Sequence, residues 1–373
     1  MLIPAIRLPV LASILLFAAF STAPALSQDR AAPAKMSESH SYIPAADLDI
    51  LMGPTRGDRA ARVVDIGRGA QLGAYILHYE PMENTQPDSF YHSEINEVYY
   101  VIRGEGTALL GGQLENPLQA DPDSFSYRTV TGPSVRGRMT GYSTVDWGPG
   151  DVIVVPAGVP HMIGWQVREA NDILRVVHDP NGRLNAVATR AESLAQDRAR
   201  QQAPGGLTAL PDAPAAPSLP GTFTFIPRAD IEALMNGDGT SDTPVRVVNG
   251  GNDSQLGVYV LHMAPRHAPE GAVNSFYHTE ISELYYVVRG AGTVLLGGGL
   301  KNATWDDSNS RSIRVVRGPS VNGLLENAER QPFAAGDIII VAAGVPHSFT
   351  YDVAETTDIV RVVIDPNKVL EPK

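Results

Sequence analysis

Two copies of one short stretch place a histidine and two carboxylates directly before an apolar, tyrosine-containing run that ends at glycine. The ionisable groups are His92, Glu94 and Glu97 in residues 89–104, and His278, Glu280 and Glu283 in residues 275–290. The runs are rich in Val, Ile, Leu and Tyr and are typical of buried strands. The start of a buried strand is an unfavourable place for three ionisable groups unless they bind something. The stretch therefore predicts a binding site that occurs twice.

A later histidine in each copy follows a β-run and a turn that is stiffened by proline and glycine. In the first copy the run 152–155 and the turn 156–160 deliver His161 to a fixed place. Two imidazoles and one carboxylate suit a divalent first-row metal, and on one side of the ion they leave positions open for substrate and O₂. The predicted metal ligands are His92, Glu97 and His161 in the first copy and His278, Glu283 and His347 in the second.

Two more residue pairs are candidates for catalytic roles. Because side chains alternate along a strand, Tyr99 and Tyr285 each lie on the same face as the neighbouring glutamate ligand. They could hydrogen-bond a bound substrate, although barrel cores commonly hold tyrosine. Glu94 and Glu280 could be a fourth ligand, a base or a group that orients an imidazole, and a solvated loop carboxylate is the alternative.

Two basic pairs are weaker candidates for the site. His78 and His262 end matching strands and could line a pocket, but a core or rim position is favoured. Arg103 and Arg289 would suit an anionic substrate if they pointed inward, but a surface ion pair is favoured.

The elements that position these residues also occur twice. Matching segments recur at an offset of 183 to 186 residues, for example 71–78 with 255–262 and 132–135 with 318–321. Each copy is a succession of short runs rich in Val, Ile, Leu and Tyr, bounded by Gly, Pro and Asn, which is typical of a barrel or jelly-roll sandwich. We therefore predict an all-β fold of two tandem jelly-roll barrels with a few short helices.

Composition divides the remainder of the chain into segments. The predicted segments are a signal peptide at 1–27, a flexible lead-in at 28–40, the two barrel domains at 41–185 and 222–373, and a polar helix with a Pro/Ala-rich linker at 186–221. The signal rests on Arg7, the short apolar segment 8–20 and the small residues after it, with an uncleaved anchor as the alternative. We expect an exported, periplasmic protein.

Charge and cysteine content exclude several classes of function. The formal net charge is -12 and the Lys and Arg residues form no basic run, so a nucleic-acid partner is excluded. The absence of cysteine excludes disulfides, thiolate metal sites and cysteine nucleophiles. No stretch after the signal has the length of apolar sequence that a transmembrane helix needs. We expect a small-molecule substrate, no membrane association of the mature form, and a possible homo-oligomer.

The repeated segments resemble the two sequence motifs of the cupin superfamily. The first motif ends with glutamate and, after six more residues, glycine, as in Glu97 to Gly104. The second is glycine, five residues, Pro-x-Gly, two residues and histidine, and Gly150 to His161 matches it fully. The second copy has Ala342 where proline is usual. The resemblance implies a bicupin, which is a pair of jelly-roll barrels that each have a possible metal pocket.

One departure from the family pattern affects the reaction that the resemblance implies. Phe90 and Phe276 stand where the first motif has its first histidine, so a site with three histidines and one glutamate is not intact. The remaining set is similar to the two-His-one-Glu site of 3-hydroxyanthranilate dioxygenases. The resemblance favours an Fe(II) dioxygenase that acts on a small phenolic or organic-acid substrate. An isomerase or lyase that uses Zn, Mn or Ni, and a non-catalytic protein that binds a small molecule or a metal, are the alternatives.

Overall fold

Two β-barrels follow one another along the chain, and each consists of two antiparallel sheets. The computed structural model describes residues 40–53, 57–203, 209–210 and 222–373. The predicted signal peptide lies outside the described residues, as do nearly all of the lead-in and most of the Pro/Ala-rich linker. The prediction of an all-β fold with a few short helices is confirmed. Among the described helices, none is long and apolar enough to span a lipid bilayer.

The first half of the chain opens with a strand and a helix and then supplies most of one barrel. Its elements are β1 His40–Ile43, α1 Ala45–Leu51, β2 Gly57–Gly67, β3 Ala70–Tyr79, β4 Met82–Glu83, β5 Asp88–His92, β6 Asn96–Arg103, β7 Gly106–Leu110, β8 Gln113–Ala120, the π-helix π1 Tyr127–Thr131, β9 Ser134–Thr140, β10 Ser143–Trp147, β11 Val152–Val155, β12 His161–Val167, β13 Asn171–Asp179, α2 Arg190–Gln202 and β14 Ala209–Leu210. The polar helix predicted within 186–221 is α2, which begins with a capping box between Thr189 and Glu192.

The second half repeats this order. Its elements are β15 Thr224–Ile226, α3 Arg228–Glu232, β16 Ser241–Asn249, β17 Gln255–Met263, β18 Asn274–His278, β19 Ser282–Arg289, β20 Ala291–Leu296, β21 Gly299–Trp305, the π-helix π2 Ile313–Arg317, β22 Ser320–Glu326, β23 Glu329–Ala334, β24 Ile338–Val341, β25 His347–Val353 and β26 Thr357–Asp365. The sheet orders are β15-β11-β6-β13-β3-β2 and β10-β7-β12-β5-β9-β8-β14 in the first barrel, with β4 paired to β12, and β1-β24-β19-β26-β17-β16 and β21-β22-β18-β25-β20-β23 in the second.

The two barrels exchange their first strands. Strand β1 pairs with β24 of the second barrel, and β15 pairs with β11 of the first. The carboxylate of Asp337 accepts hydrogen bonds from the Tyr42 hydroxyl and the Ala45 backbone N–H, both at 2.8 Å. Asp151 accepts one from the Arg228 backbone N–H at 2.7 Å. The domain bounds drawn from the sequence follow the chain, whereas each sheet takes its edge strand from the other repeat.

One hydrophobic core joins the barrels. The outer faces of the β1- and β15-containing sheets contribute to a single cluster, in which Tyr100 and Tyr286 have their ring centroids 5.3 Å apart. Because side chains alternate along a strand, Val98 and Tyr100 enter this cluster while Glu97 and Tyr99 point into the first barrel. The shared core therefore forces the site residues of each sheet onto its inner face.

Ile43 tests the contribution of the exchanged strand. This side chain is fully buried in the joint core, so Ile43→Ala should lower the free energy of unfolding by about 2–5 kcal/mol. Ile50, in the adjacent helix, is 40% exposed, and Ile50→Ala should change it by no more than about 0.5 kcal/mol. Urea unfolding of the two variants measures the difference. If Ile43→Ala and Ile50→Ala unfold with the same free energy, β1 adds nothing to the stability of the second barrel.

His178 makes the contact between the barrels sensitive to acid. It is buried beside Asn96, whose amide donates toward His178 Nδ1 at 3.3 Å and to Ser254 Oγ at 3.1 Å. Burial lowers the pKa of His178 from 6.5 to about 4, so the unfolded chain binds more protons than the folded chain between these values. Stability should therefore fall as the pH drops from 6.5 to 4, by up to about 3 kcal/mol from this residue. Urea titrations at pH 7 and pH 4.5 should show a smaller loss for His178→Gln than for the wild type. An identical loss in both proteins contradicts this assignment.

Candidate metal centres

Three side chains from three strands converge inside the first barrel. His92 ends β5, Glu97 is the second residue of β6 and His161 begins β12. Their ligand atoms all lie within 4.8 Å of one another, and the three residues are buried. His92 Nε2 is 3.1 Å from Glu97 Oε1, and His161 Nε2 is 3.1 Å from Glu97 Oε2. The structure thus brings together the set that the sequence predicts for this copy.

His278, Glu283 and His347 form the matching buried group of the second barrel. Here both imidazole Nε2 atoms approach the same carboxylate oxygen, Glu283 Oε2, at 3.3 and 3.4 Å. The two groups therefore share their residue types and differ in how the carboxylate is turned.

A tight turn joins two of the ligand-bearing segments in each barrel. The backbone N–H of Gly158 donates to the carbonyl of His92 at 2.6 Å, and that of Gly344 donates to the carbonyl of His278 at 2.7 Å. Both glycines have φ near +85°, in the left-handed region that side chains with a Cβ rarely adopt. This requirement explains the glycine of the Pro-x-Gly segment and fixes the histidine that follows it.

Hydrogen bonds at Nδ1 determine the tautomer of each histidine. His161 Nδ1 lies 2.9 Å from the carbonyl of Val159, which only accepts, so Nδ1 carries the hydrogen. His92 Nδ1 lies 3.0 Å from Ser134 Oγ, and that hydroxyl donates its own hydrogen to a carbonyl such as that of Gly132. Each neutral ring therefore presents a lone pair at Nε2. The second barrel repeats the contacts as His347 with Val345, and His278 with Ser320 and Gly318.

These lone pairs face a carboxylate, so acceptor atoms meet acceptor atoms in a buried place. His161 Nε2 and His278 Nε2 have no hydrogen-bond partner among the described residues. A cation between the acceptors satisfies all of them. Two atoms that each lie about 2.1 Å from one ion would be about 3–3.4 Å apart, a range that includes the observed 3.1 Å. The residues present fit a divalent metal ion.

A buried arginine behind the carboxylate is the part of the site that the sequence analysis missed. Arg175 Nε donates to Glu97 Oε1 at 2.5 Å, Nη2 donates to the carbonyl of Val130 at 2.9 Å, and Nη1 binds Asp58. Arg361 is the counterpart in the second barrel, 2.8 Å from Glu283. The available signal was an arginine flanked on both sides by two apolar residues in the same strand of both copies. Its fork holds the carboxylate in one orientation.

The environment sets the charge of each group in the site. Burial raises the pKa of Glu97, but Arg175 and the two imidazoles outweigh it and hold the pKa well below its usual range. Burial lowers the pKa of His92, and it lowers that of His347 to about 4. Burial and the adjacent carboxylate raise the pKa of Tyr99 well above its ordinary value. At neutral pH the first site therefore holds the Glu97 carboxylate, a neutral His92 imidazole and a protonated Tyr99 hydroxyl.

Each group borders a cavity inside its barrel. The first cavity has a volume of about 280 Å³ and the second about 310 Å³. Tyr99 lines the first and donates its hydroxyl hydrogen to Glu97 Oε2 at 2.9 Å. Tyr285 lines the second and donates to Glu283 at 2.7 Å. Both tyrosines therefore lie at the site and donate to the carboxylate, and the Tyr285 hydroxyl also lies 3.4 Å from His347 Nε2.

Aromatic rings occupy the positions where the cupin motif has its first histidine. The ring centroid of Phe90 is 5.1 Å from that of His92 and 5.2 Å from that of His161. Phe276 takes the same place in the second barrel, 4.9 Å from His347. An apolar wall thus replaces a fourth protein ligand on this side of each group.

The structure places Glu94 and Glu280 away from the ligand groups. Glu94 accepts hydrogen bonds from Asn181 at 2.8 Å and Arg183 at 3.1 Å, and it does not line the first cavity. Glu280 binds Asn367 and forms an ion pair with Arg68 at 3.1 Å. These contacts hold loops at the rim of the barrels and give neither carboxylate a position on the metal side.

The weaker basic candidates form ion pairs outside the cavities. His78 Nδ1 lies 2.7 Å from Asp172, which also binds the half-exposed Arg103. His262 and Arg289 pair with Asp358 in the same way. His78 and His262 are buried on the outer face of β3 and β17, which is the core position among the favoured alternatives. Arg103 and Arg289 are half-exposed, but each pairs with a buried aspartate, so neither pair lies wholly at the surface.

The chain matches no protein-family model and no curated protein. It is similar to the structure of an oxalate decarboxylase of Lactobacillus farciminis in a formate complex, with 14% identity over 84% of this chain and 87% of that chain, at a TM-score of 0.40. It is similar to oxalate decarboxylase from Bacillus subtilis at pH 4.6, with 15% identity over 92% and 79% of the chains, at a TM-score of 0.39. It is also similar to salicylate 1,2-dioxygenase from Pseudoaminobacter salicylatoxidans in adducts with gentisate, with 14% identity over 87% and 81%, at a TM-score of 0.42.

Its two tandem β-barrels, each with a buried His–Glu–His group, have the architecture that the resemblance to cupins implies.

Proposed function

We propose that this protein is a metal-dependent enzyme, specifically an Fe(II) dioxygenase that acts on a small phenolic or organic-acid substrate. One observation carries the metal site. In each barrel two imidazole Nε2 lone pairs face one buried carboxylate, and the Nδ1 atoms are already committed to other hydrogen bonds. His92, Glu97 and His161 would hold the ion in the first barrel.

Two imidazoles and one carboxylate on one side of Fe(II) leave open positions, and the ion would supply redox and Lewis-acid chemistry toward O₂ and a substrate oxygen. The other residues prepare that place. Arg175 and Tyr99 both donate to the carboxylate of Glu97, which keeps its oxygens oriented toward the imidazoles. Phe90 forms an apolar wall on one side of the group.

The cavity of the first barrel limits what can reach the group. Its volume of about 280 Å³ is at the small end of ligand pockets and suits a single-ring or short-chain compound. The walls are mainly apolar, and they include Leu77, Tyr79, Met82 and Ile163. These walls support a compact, largely apolar substrate. We also propose that the protein acts after export to the periplasm, with no membrane or nucleic-acid partner, and that copies of the chain could associate.

Metal analysis combined with oxygen uptake tests the proposed function. The protein is purified without O₂, its metal content is determined, and it is loaded with Fe(II). An oxygen electrode then follows O₂ consumption with a panel of catechol-type compounds and hydroxylated aromatic acids. We expect uptake with at least one compound, and loss of that uptake in Glu97→Gln. Glu94→Gln is the matched control, because its carboxylate lies outside the group.

Other outcomes would contradict specific parts of the proposal. A protein that binds no divalent metal in either barrel would remove the metal site. A metal-loaded protein that consumes no O₂ but converts a substrate with Zn, Mn or Ni would be an isomerase or lyase. Binding of substrates without any turnover would indicate a non-catalytic binding protein.

A further inference from the structure

The two cavities differ in charge at one equivalent position. Thr131 ends the helix π1 and Arg317 ends π2, each directly before a Gly-Pro pair. Both residues line the cavity of their barrel. Thr131 is buried and directs its hydroxyl to backbone carbonyls of its own loop, such as that of Ser126 at 3.3 Å. The second cavity therefore contains a cation where the first has a small neutral side chain.

The ring of Phe276 separates the guanidinium of Arg317 from the candidate metal ligand His347. Its Cζ is 4.1 Å from the ring centroid of Phe276, and that ring is 4.9 Å from the ring of His347. A guanidinium that stacks on an aromatic face keeps its N–H groups free at the edge for an anion. The ion pair of Arg317 with Asp306 is 3.8 Å long, which exceeds a hydrogen bond, and about a third of the side chain is exposed.

Arg361, the other arginine of this cavity, is not available in the same way. It is buried, and its N–H groups bind Glu283 at 2.8 Å, Asp242 at 3.1 Å and the carbonyl of Val316 at 3.2 Å. Its charge is already matched by two carboxylates. Arg317 is thus the cation of this cavity that has donors to offer to a ligand.

The balance of formal charge separates the two cavities. The first holds three carboxylates and one guanidinium, a balance of −2, from Asp58, Asp88, Glu97 and Arg175. The second holds two carboxylates and two guanidinium groups, a balance of zero, from Asp242, Glu283, Arg361 and Arg317, or −1 when Asp306 beside Arg317 is counted. A divalent ion adds two positive charges to each cavity. The second then carries a net positive charge that attracts an anion, and the first is neutral.

Aromatic rings line the second cavity close to its metal ligands. Phe349 occupies the position of Ile163, and its ring lies 3.9 Å from the ring of Tyr285. Phe276 forms another wall beside His347. Aromatic walls suit a planar ring or a planar carboxylate, because such groups stack on them.

From these contacts we infer that the second barrel binds a small aromatic carboxylate, with the carboxylate held by Arg317, while the first barrel takes an uncharged compound. This inference rests on the proposed function only in taking the cavities as ligand sites. It divides the substrate classes of that proposal between the barrels.

Binding of two matched probes tests the inference. Benzoate and phenol have the same ring, and at pH 7.5 the first is an anion and the second is neutral. Isothermal titration calorimetry on the full, metal-loaded chain should show benzoate binding that Arg317→Thr weakens about 10-fold or more, as expected for loss of a charged hydrogen-bond donor. Phenol binding should change by less than about 2-fold, within the range of an uncharged contact. Arg317→Thr introduces the residue that the first barrel has at this position.

A second variant keeps the test decisive. Asp306→Asn removes the carboxylate that competes for Arg317 and should tighten benzoate binding, whereas a merely structural arginine would not respond in this direction. Unchanged benzoate affinity in Arg317→Thr, with its metal content retained, overturns the inference. Metal content is measured on the same samples, so a protein without metal contradicts the proposed function separately. Benzoate binding to that metal-free protein should still depend on Arg317.

Discussion

Replacing His92 by alanine is expected to remove the metal of the first barrel and to leave that of the second in place. His278→Ala should do the reverse, because each histidine belongs to one of the two separate ligand groups. After anaerobic loading with Fe(II), the iron content measured by elemental analysis should therefore fall from two ions per chain to one in each single variant, and to none in the double variant. Loss of a ligand removes one of three protein bonds to the ion. Metal affinity should therefore fall by more than the factor of about 10 to 100 that is typical when a residue that only hydrogen-bonds to a ligand is replaced.

Glu94→Gln and Glu280→Gln are the matched controls for these variants. Each changes an ionisable residue two positions from the histidine, but the structure pairs these carboxylates with asparagine and arginine side chains at the rim. We expect both controls to keep two ions per chain. Unchanged metal content in the histidine variants would mean that the ligands have been assigned wrongly. Loss of metal in Glu94→Gln would return that residue to the site.

Replacing Arg175 by alanine should produce the largest loss of stability among the site variants. The change leaves the carboxylates of Glu97 and Asp58 without their shared cation inside the barrel. Breaking a buried ion pair on one side costs about 3–5 kcal/mol, because the remaining charge is unpaired and unsolvated. Urea unfolding of the metal-free protein measures the effect without a contribution from the ion. Arg175→Lys should recover only part of it, because an ammonium group does not reproduce the three-way fork.

Arg168 provides the comparison for a surface ion pair. Its side chain is 46% exposed and lies 3.1 Å from Asp146, which is 77% exposed. Solvent screens this pair, so Arg168→Ala should cost less than about 1 kcal/mol. If Arg175→Ala proves no more destabilising than Arg168→Ala, the buried network does not hold the carboxylate as described.

Local patterns predicted the parts of this protein that depend on neighbouring residues. Alternation in β6 directs Glu97 and Tyr99 to one face, and the Pro-x-Gly turn with a left-handed Gly158 delivers His161 to the next strand. These features act over a few residues, so spacing alone carries them. Because each segment occurs twice along the chain, the internal repeat indicated two tandem barrels.

Long-range pairing decided what local patterns could not. Arg175 reaches Glu97 across 78 residues because β13 and β6 are neighbours in one sheet, and no spacing rule announces that contact. The outward turn of Glu94 likewise depends on Asn181 and Arg183, which a distant loop brings to it.

The sequence by itself determined the β architecture, the two copies and the residue types of the paired His–Glu–His groups, since these follow from strand alternation, turn chemistry and repetition. Only the tertiary structure decided the exchange of first strands, the arginine behind each carboxylate and the charge difference between the cavities. The exchange has no local signal, because β1 and β15 end in the similar pairs Tyr42-Ile43 and Phe225-Ile226 and each pairs with a strand of the other repeat. The net charge of a cavity depends on all the charged side chains around it, and these come together only when strands that are distant in sequence pair in the fold.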